Sequence, residues 1–202
     1  MNHRPKILAF AGSLRKDSLN KKLIKIAVKG AEEAGAKVTL IDLKDYPLPI
    51  YDQEIEDSEG LPENALKLKA LMLEHDGFLI ASPEYNSSIS GVLKNVIDWT
   101  SRQAKPDEVY LCCFIDKVVS LMSASPGALG GLRGLVHVRS LFNNIYSLVL
   151  PKQKCIPEAH QAFGPDGNLK KSSDQNDVLN LGKQLSQFIE KVKSCPAESL
   201  NK

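Results

Sequence analysis

A loop rich in hydrogen-bond donors follows the first apolar run of the sequence. The run, residues 7–11, ends at Gly12, and a helical pattern begins soon after it. Hydroxyl, cationic and amide side chains occupy this junction: Ser13, Arg15, Lys16, Ser18 and Asn20. The first turn of a helix has unpaired backbone N–H groups at the positive end of the helix dipole, which favours bound anions. Because hydroxyl, amide and guanidinium donors add to this preference, the loop predicts a binding site for a phosphate monoester.

The same loop has a simpler interpretation, in which Ser18 or Asp17 caps the helix while Arg15 and Lys16 point into solvent. The residues alone leave both interpretations open. Two other phosphate-binding loops are excluded, because the sequence contains neither the G-x-x-x-x-G-K-[ST] pattern nor the G-x-G-x-x-G pattern. The loop is therefore neither a Walker P-loop nor the usual dinucleotide-binding turn.

A second polar loop, residues 82–90, follows the third apolar run. Pro83 stiffens the exit from that run, and Glu84, Tyr85 and Asn86 come next. Successive backbone N–H and C=O groups at these positions would bond the edge of a flat heteroaromatic ring. The side chain of Tyr85 offers an aromatic surface for contact with the face of such a ring.

A third loop, residues 123–131, has the sequence SASPGALGG. Its two small hydroxyl residues and three glycines, among them Ser123, Ser125 and Gly127, would let the backbone approach the same ring from another side. The alternative is a flexible glycine turn that leads into the next helix. The sequence alone leaves these two interpretations open.

Apolar strands alternate with amphipathic helices along the chain. The predicted strands are residues 6–11, 37–43, 77–81, 118–122 and 147–150. The predicted helices are residues 18–34, 63–73, 91–102, 132–144 and 177–192. Residues 44–62, 82–90 and 157–172 are predicted loops, and residues 103–116 have no clear pattern. This alternation predicts an α/β fold, a flavodoxin-like three-layer sandwich around a five-stranded parallel sheet in the order 2-1-3-4-5.

The predicted strand order brings two of the polar loops together. The first and third strands are neighbours in it, at the point where the connections change direction. Ligands of such sheets bind at this point, outside the carboxyl ends of the strands. The loops after strands one and three, residues 12–20 and 82–90, are therefore expected to flank one crevice.

Composition and charge are those of an ordinary globular protein. The 202 residues carry a net charge of +2, which gives no reason to expect a nucleic acid or an acidic membrane as partner. No apolar run reaches the roughly 18 residues that span a bilayer, and the N-terminus lacks a signal-peptide pattern, so we expect a cytoplasmic location. We expect one domain over residues 1–202, with a core over about 5–193 and a polar C-terminal tail.

The cysteines and histidines indicate no metal or disulfide site. The four cysteines, Cys112, Cys113, Cys155 and Cys195, include no C-x-x-C pair. We therefore expect reduced thiols, as is usual in the cytosol. The four histidines are scattered without a metal-binding spacing, so no metal site is predicted.

Five stretches, in this order along the chain, resemble motifs of the NADPH-dependent FMN reductase family. Gly12–Asn20 resembles its G-S-x-R-x-x-S-x-N loop, and Pro47–Asp52 resembles its L-P-x-Y-D stretch. Pro83–Asn86, with Gly91–Asn95 and Asp98-Trp99, resembles P-E-Y-N…G-x-L-K-N-x-x-D-W. Ser123–Gly131 resembles S-x-S-x-G-x-x-G-G, and Ala159–Leu169 resembles a late A-x-x-x-F-x-x-x-G-x-L segment. The resemblance covers about residues 6 to 170.

The resemblance implies a flavodoxin-like enzyme that binds FMN without covalent attachment and takes hydride from NADPH or NADH. The residues that it implies around the FMN phosphate are Ser13, Arg15, Ser18, Leu19 and Asn20. Those implied around the isoalloxazine ring are Pro83, Glu84, Tyr85, Asn86, Ser123, Ser125 and Gly127. No catalytic side chain is implied, because the flavin carries the chemistry. The family also forms dimers or dimers of dimers, which would place Asp52 near the flavin of the partner subunit.

The sequence departs from the family pattern at three places. One is Gln53-Glu54, which follows Asp52 where a second aspartate is common. Ser90 stands where the family usually has proline before the glycine of G-x-L-K-N, a change that we expect to loosen the loop backbone. The adjacent pair Cys112-Cys113 is unusual for the family.

The main hypothesis is an FMN-dependent NAD(P)H oxidoreductase. It would pass electrons through bound FMN to quinones, azo compounds, metal oxyanions or free flavin by a ping-pong mechanism. One alternative is a flavodoxin-type electron carrier, although such carriers are usually strongly acidic and this chain has a net charge of +2. Another is a flavin-based redox sensor, for which Cys112-Cys113 is the only hint. No residue in the sequence identifies a 2′-phosphate site, so the preference for NADPH rests on the resemblance.

Overall fold

The computed structural model describes residues 3–194, in which a five-stranded parallel sheet lies between two layers of helices. The strands are β1 (Lys6–Ala11), β2 (Lys37–Leu40), β3 (Gly77–Ala81), β4 (Glu84–Tyr85), β5 (Ser88–Ile89), β6 (Val118–Ala124) and β7 (Leu148–Ile156). The helices are α1 (Leu19–Glu33), α2 (Gln53–Glu59), α3 (Glu63–Glu74), α4 (Gly91–Thr100), α5 (Leu132–Asn144), α6 (Ala159–Ala162) and α7 (Ser172–Ser194). The predicted polar tail and Cys195 lie outside the described residues.

The sheet order is β2-β1-β3-β6-β7, and every neighbouring pair is parallel. Counting only the strands of this sheet, the order is the predicted 2-1-3-4-5. Strands β4 and β5 form a separate antiparallel hairpin in the connection that follows β3. The predicted flavodoxin-like fold is therefore confirmed.

Successive side chains of β1 point to opposite faces of the sheet, and so belong to two separate hydrophobic cores. Ile7 and Ala9 pack with α1 and α7 on one face of the sheet. Leu8 and Phe10 pack with α3, α4 and α5 on the other face. All of these strand residues are buried, because a parallel sheet covered by helices on both sides leaves neither face to solvent.

Two glycines allow α1 and α7 to pack closely. A Cβ atom added to Gly30 would lie 2.0 Å from the backbone oxygen of Leu179. A Cβ atom added to Gly182 would lie 1.9 Å from the backbone oxygen of Ala27. Because both obstacles are backbone atoms, a side chain at either position would force the helices apart.

The predicted loop 44–62 contains two short helical segments, so this prediction was wrong in part. A 3₁₀ turn covers Leu43–Asp45, which also ends the second strand at Leu40 rather than at residue 43. Helix α2 begins after Asp52, whose carboxylate accepts a hydrogen bond from the amide of Glu54 at 2.9 Å. It ends at Gly60, which has a φ of 75°. The prolines and acids of this stretch favoured the prediction of a loop, although residues 53–59 form a short helix with both ends capped.

The last strand extends six residues beyond its predicted end, from 150 to 156. Pro151 made the sequence look as though the strand had stopped, but β7 is an edge strand, where a missing N–H is tolerated. Pairing with β6 is also irregular between Val119 and Leu121, so Pro151 lies in a bulge. The guanidinium of Arg139 donates to the backbone oxygen of Leu150 at 2.8 Å and so satisfies part of this bulge.

Several other boundaries also differ from those predicted. Strand β6 continues to Ala124, so Ser123 belongs to the strand and not to the loop. Helix α7 begins at Ser172 rather than at residue 177, and the predicted loop before it contains the short helix α6. The span 103–116 forms turns. Within residues 3–194, no helix has both the length and the apolar character needed to cross a membrane.

The packing of α1 on α7 predicts that Gly182→Ala destabilises the protein. We expect the free energy of unfolding to fall by about 1–3 kcal/mol, because the methyl group overlaps a backbone oxygen. Urea denaturation would measure the change. The matched control is Gly91→Ala, where the added Cβ meets nothing within 4 Å, so stability should be unchanged or slightly higher. Equal stabilities for the two variants would contradict this account of the helix packing.

Candidate functional site

A small cavity of about 70 Å³ lies where the loops after β1, β3 and β6 meet. Its lining residues are Ser13, Arg15, Ser18, Leu19, Asn20, Pro83, Glu84, Tyr85, Ala124, Ser125 and Pro126. The structure thus brings together predicted residues from all three loops. Asn86, Ser123 and Gly127 are the predicted residues that do not line the cavity, whereas Ala124 and Pro126 line it and were missed.

The first loop leaves β1 in a tight turn. The amide of Gly12 donates to the backbone oxygen of Ala81 at 2.9 Å, and the amide of Ser13 donates to that of Ala11 at 2.8 Å. A Cβ atom at Gly12 would lie 3.0 Å from the Cβ of Leu93 and 3.2 Å from the Oγ of Ser90. The loop therefore rests directly on α4, and a side chain at position 12 would displace it.

The donors of this loop suit an oxyanion. Ser18 caps α1 by accepting a hydrogen bond from the amide of Lys21 at 3.4 Å, so the capping role is confirmed, yet Ser18 also lines the cavity. The first-turn amides of α1, such as those of Leu19 and Asn20, have no acceptor within the helix. Arg15 is exposed, and its guanidinium forms no ion pair within residues 3–194. Amides, hydroxyls and an unpaired cation around one small cavity fit a phosphate group.

Asn20 joins the first loop to the third. Its Nδ2 donates to the backbone oxygen of Ala124 at 2.9 Å, and its Oδ1 accepts from the amide of Ala124 at 3.0 Å. The side chain is buried, so these two bonds are shielded from competing water. Both ends of the amide are therefore engaged with the end of β6, and Asn20 acts on the cavity by positioning its walls.

The second loop, predicted only as a polar loop, forms a tight hairpin. Asn86 and Ser87 form its two-residue turn, with φ values of 49° and 66°. Positive φ at both positions is the requirement of a type I′ turn, and asparagine is one of the residues that tolerate it best. The hairpin leaves the Tyr85 ring 51% exposed beside the cavity.

The side chain of Glu84 is engaged within the protein. Its Oε1 accepts from the Nη2 of Arg133 at 2.9 Å, and its Oε2 accepts from the amide of Gly134 at 3.0 Å, both on α5. Burial opposes ionisation of this carboxylate, but the Gly134 amide and the Arg133 guanidinium outweigh it and lower the pKa of Glu84. This leaves the backbone of the hairpin, rather than the carboxylate, available to a ligand.

In the third loop, Ser125 and Ser123 have different environments. Ser125 is half-buried at the cavity, and its Oγ accepts from the amide of Gly127 at 3.3 Å. Ser123 lies in β6 and is fully buried beneath Gly131, and its Oγ has no hydrogen-bond partner within the described residues. The structure thus places Ser125 at the cavity surface and Ser123 behind it.

Ser90 is a site residue that the sequence argument misjudged. Its Oγ donates to the backbone oxygen of Gly12 at 2.7 Å and accepts from the amide of Leu93 at 3.4 Å, where it caps α4. The expectation that this departure from the family pattern loosens the loop was wrong. A proline could not make this bond, so the serine ties the first loop to α4.

The segment that contains Asp52 is held on α4 by a second asparagine. Oδ1 of Asn95 accepts from the amide of Tyr51 at 2.8 Å, and Nδ2 donates to the backbone oxygen of Pro49 at 2.8 Å. The fully buried Trp99 also donates its indole N–H to Pro49, at 2.8 Å. Asp52 is exposed and caps α2.

The adjacent thiols lie away from the cavity. Cys113 is fully buried, and this burial raises the pKa of its thiol to about 12. Cys112 is half-buried. A thiol with so high a pKa stays protonated at neutral pH and reacts slowly, which weighs against Cys113 as a redox sensor.

The sheet order and the donor-lined cavity at its switch point define a flavodoxin-like protein with a crevice whose donors suit a phosphate group. Comparison with known proteins then gives the family. The NADPH-dependent FMN reductase family matches residues 5–161, and the chain belongs to this family. This membership confirms the predicted family, its oxidoreductase class, and FMN and NAD(P)H as its cofactor and electron donor.

Three relatives illustrate the likeness. A probable NADPH:quinone oxidoreductase 2 of Oryza sativa subsp. japonica is 34% identical over 199 residues, with 96% of this chain and 93% of the relative covered. A quinone reductase of Escherichia coli (strain K12) is 31% identical, with 96% of this chain and 100% of the relative covered. The solved structure of FerB, a flavoenzyme NAD(P)H:(acceptor) oxidoreductase from Paracoccus denitrificans, has a TM-score of 0.74 and 26% identity, covering 93% of this chain and 98% of its own.

The position of Arg15 predicts a phosphate-specific effect of Arg15→Ala. We expect the dissociation constant for FMN to rise about 10- to 100-fold, since a charge-assisted hydrogen bond contributes about 1.5–3 kcal/mol. Riboflavin, which lacks the phosphate, should bind both proteins equally. Flavin fluorescence quenching measures both affinities. Arg4→Ala is the matched control, because Arg4 is exposed at the opposite end of β1. An unchanged FMN affinity, or an equal loss for riboflavin, would refute the phosphate role of Arg15.

The pairing of Asn20 predicts that Asn20→Asp weakens both the fold and the cavity. The carboxylate cannot donate to the oxygen of Ala124, so an unpaired acceptor is left buried at a cost of about 1–3 kcal/mol. We therefore expect a lower melting temperature for the flavin-free protein and a lower affinity for both FMN and riboflavin. The exposed Asn180→Asp on α7 is the control. Loss of FMN affinity alone, at unchanged melting temperature, would instead make Asn20 a direct phosphate ligand.

Proposed function

We propose that this protein transfers electrons from NADPH or NADH, through non-covalently bound FMN, to a small-molecule acceptor of the quinone type. The observation that carries the proposal is the single cavity at which hydroxyl, amide and guanidinium donors of the first loop meet the second and third loops. Bound FMN would supply the redox chemistry, accepting hydride from the nicotinamide and giving electrons to the acceptor. The quinone class is supported by the names of the rice and Escherichia coli relatives.

The residues of this chain would hold and orient the cofactor. We assign the phosphate to Ser13, Arg15, Ser18 and the amides of Leu19 and Asn20, because these groups surround the cavity. We assign the ring to the backbone of Pro83–Asn86 and to the third loop, with Ser125 and Gly127 as its nearest residues and Ser123 supporting them from below. The 70 Å³ cavity is too small for a whole flavin, so the ring would lie on the open surface beside Tyr85.

An open ring surface supports a ping-pong mechanism. Donor and acceptor would occupy the same exposed surface in turn, and no described side chain has to move a proton between them. The same openness would admit azo compounds, metal oxyanions or free flavin as acceptors. We further propose a cytoplasmic homodimer or dimer of dimers, with Asp52 close to the flavin of the partner subunit and residues 5–193 acting as one domain.

The net charge of +2 favours the enzyme over the flavodoxin-type electron carrier, because such carriers are usually strongly acidic. The thiol of Cys113 is buried and its pKa is raised to about 12, which weighs against this residue in the redox-sensor alternative.

The proposal predicts that the purified protein is yellow and bleaches rapidly with NADPH under nitrogen. Steady-state rates measured at several quinone concentrations should give parallel double-reciprocal lines against NADPH, as a ping-pong mechanism requires. An absorption spectrometer suffices for both experiments. A yellow protein that NADPH does not bleach would favour the electron carrier. A colourless protein that takes up no added FMN would overturn the assignment of the three loops, and intersecting lines would overturn the ping-pong mechanism.

A further inference from the structure

A second and larger pocket, of about 490 Å³, lies next to the FMN cavity. It is bounded by the N-terminal half of α1 and by the segment that follows β2, and Ser18 lines both cavities. Its apolar lining consists of Ala11, Ile24, Leu40 and Ile41. Its charged lining consists of Lys16, Asp17, Lys21, Lys22, Lys25, Asp42 and Asp45. Pockets of about 300–1,000 Å³ that combine apolar surface with a few convergent polar groups are typical small-molecule sites.

Two of these charged residues, Lys21 and Asp42, form an ion pair with each other. Nζ of Lys21 lies 2.6 Å from Oδ2 of Asp42. Burial opposes ionisation of Asp42, but the hydrogen bonds from Lys21 and from the amide of Lys44, with the positive charges of both lysines, together outweigh it and lower the pKa of the carboxylate. Lys21 and Asp42 thus neutralise one another within the pocket lining.

Three other ammonium groups are left for a ligand. Lys16, Lys22 and Lys25 are exposed and form no ion pair with any carboxylate within residues 3–194. The nearest aromatic partner of Lys22 is Phe163, whose ring centroid is 5.9 Å from Nζ. Lysines that line one pocket without an ion-paired carboxylate favour a bound phosphate group, although Lys22 and Lys25 also line the adjoining pocket that contains Asp166.

The remaining lining suits a nucleoside. Leu40 is 41% exposed at the end of β2 and, with the half-buried Ile41, offers an apolar surface to a flat base. Asp17 and Asp45 are exposed at the same pocket, where their carboxylates can accept hydrogen bonds from ribose hydroxyls or from an exocyclic amine. These acids also make the pocket unsuitable for a simple polyanion, since they would repel it.

We propose that this pocket binds the 2′-phosphoadenosine half of NADPH. The 2′-phosphate would lie among Lys16, Lys22 and Lys25, with the adenosine against Leu40 and Ile41. The inference rests on the proposed function, because the nicotinamide half must then reach the flavin. Ser18 lines both cavities, so the pocket adjoins the phosphate cavity, and one dinucleotide would extend from the pocket past the FMN phosphate towards the ring. It also gives the chain a means to prefer NADPH over NADH.

Calorimetry with adenosine 2′,5′-bisphosphate tests the pocket without relying on turnover. The FMN-saturated protein should bind this ligand at least tenfold more tightly than 5′-AMP or inorganic phosphate. The triple variant Lys16→Ala/Lys22→Ala/Lys25→Ala should lose at least tenfold in affinity. The control triple variant Lys29→Ala/Lys37→Ala/Lys170→Ala removes the same charge from exposed lysines outside the pocket, so it corrects for long-range electrostatics. Equal losses in both triple variants, or equal binding of 5′-AMP, would overturn the inference.

Kinetics separate a failure of this inference from a failure of the proposed function. The ratio of kcat/KM for NADPH to that for NADH should fall at least tenfold in the pocket variant and stay constant in the control variant. If the unmodified holoprotein oxidises NADPH but the ratio does not change, the pocket assignment is wrong and the proposed function stands. If the unmodified holoprotein oxidises neither nucleotide, the proposed function itself is wrong.

Discussion

The double hydrogen bond between the Asn20 side chain and the backbone of Ala124 determines the geometry of the candidate site. One amide both donates to and accepts from the same residue, so it fixes the distance and the orientation of the two chain segments at once. Because the pair is buried, breaking it would leave polar groups without water or another partner. The third loop therefore approaches the first at a set distance, with the cavity between them.

A second asparagine, on α4, makes a similar pair of hydrogen bonds to the backbone. Asn95 bonds the amide of Tyr51 and the backbone oxygen of Pro49, and it thereby holds an irregular segment against the helix. Ser90 adds a third such link, from the start of α4 to the first loop. The polar residues of the family motifs thus fall into two groups. Some, such as Arg15, are left free for a ligand, whereas others position the backbone around it.

Residue type and spacing predicted the fold and the three loops well, because both depend on local patterns. Alternating apolar runs predicted the sheet, and the strand order predicted which loops would meet. The polar residues that position the backbone, such as Asn20 and Ser90, could not be recognised from such local patterns. Nothing near Asn20 in the sequence indicates that its partner lies at Ala124, because the contact depends on how α1 packs against β6. Likewise, Ser90 was judged by comparison with proline, but its bond to Gly12 appears only once β1 and α4 lie side by side.

The two ends of the candidate site differ in how deeply their side chains are buried. This difference bears on how selectively each end would bind its ligand. Ser13, Ser18 and Asn20 are buried at the proposed phosphate end, where shielded donors distinguish a phosphate monoester from uncharged groups. Tyr85 and Gly127 are exposed at the proposed ring end, where few shielded groups remain to select an acceptor. A site built in this way holds its cofactor by one end and leaves the reacting end open. Selection of the electron donor would then depend on groups beyond the cavity, such as Lys16, Lys22 and Lys25 in the adjoining pocket that Ser18 also lines.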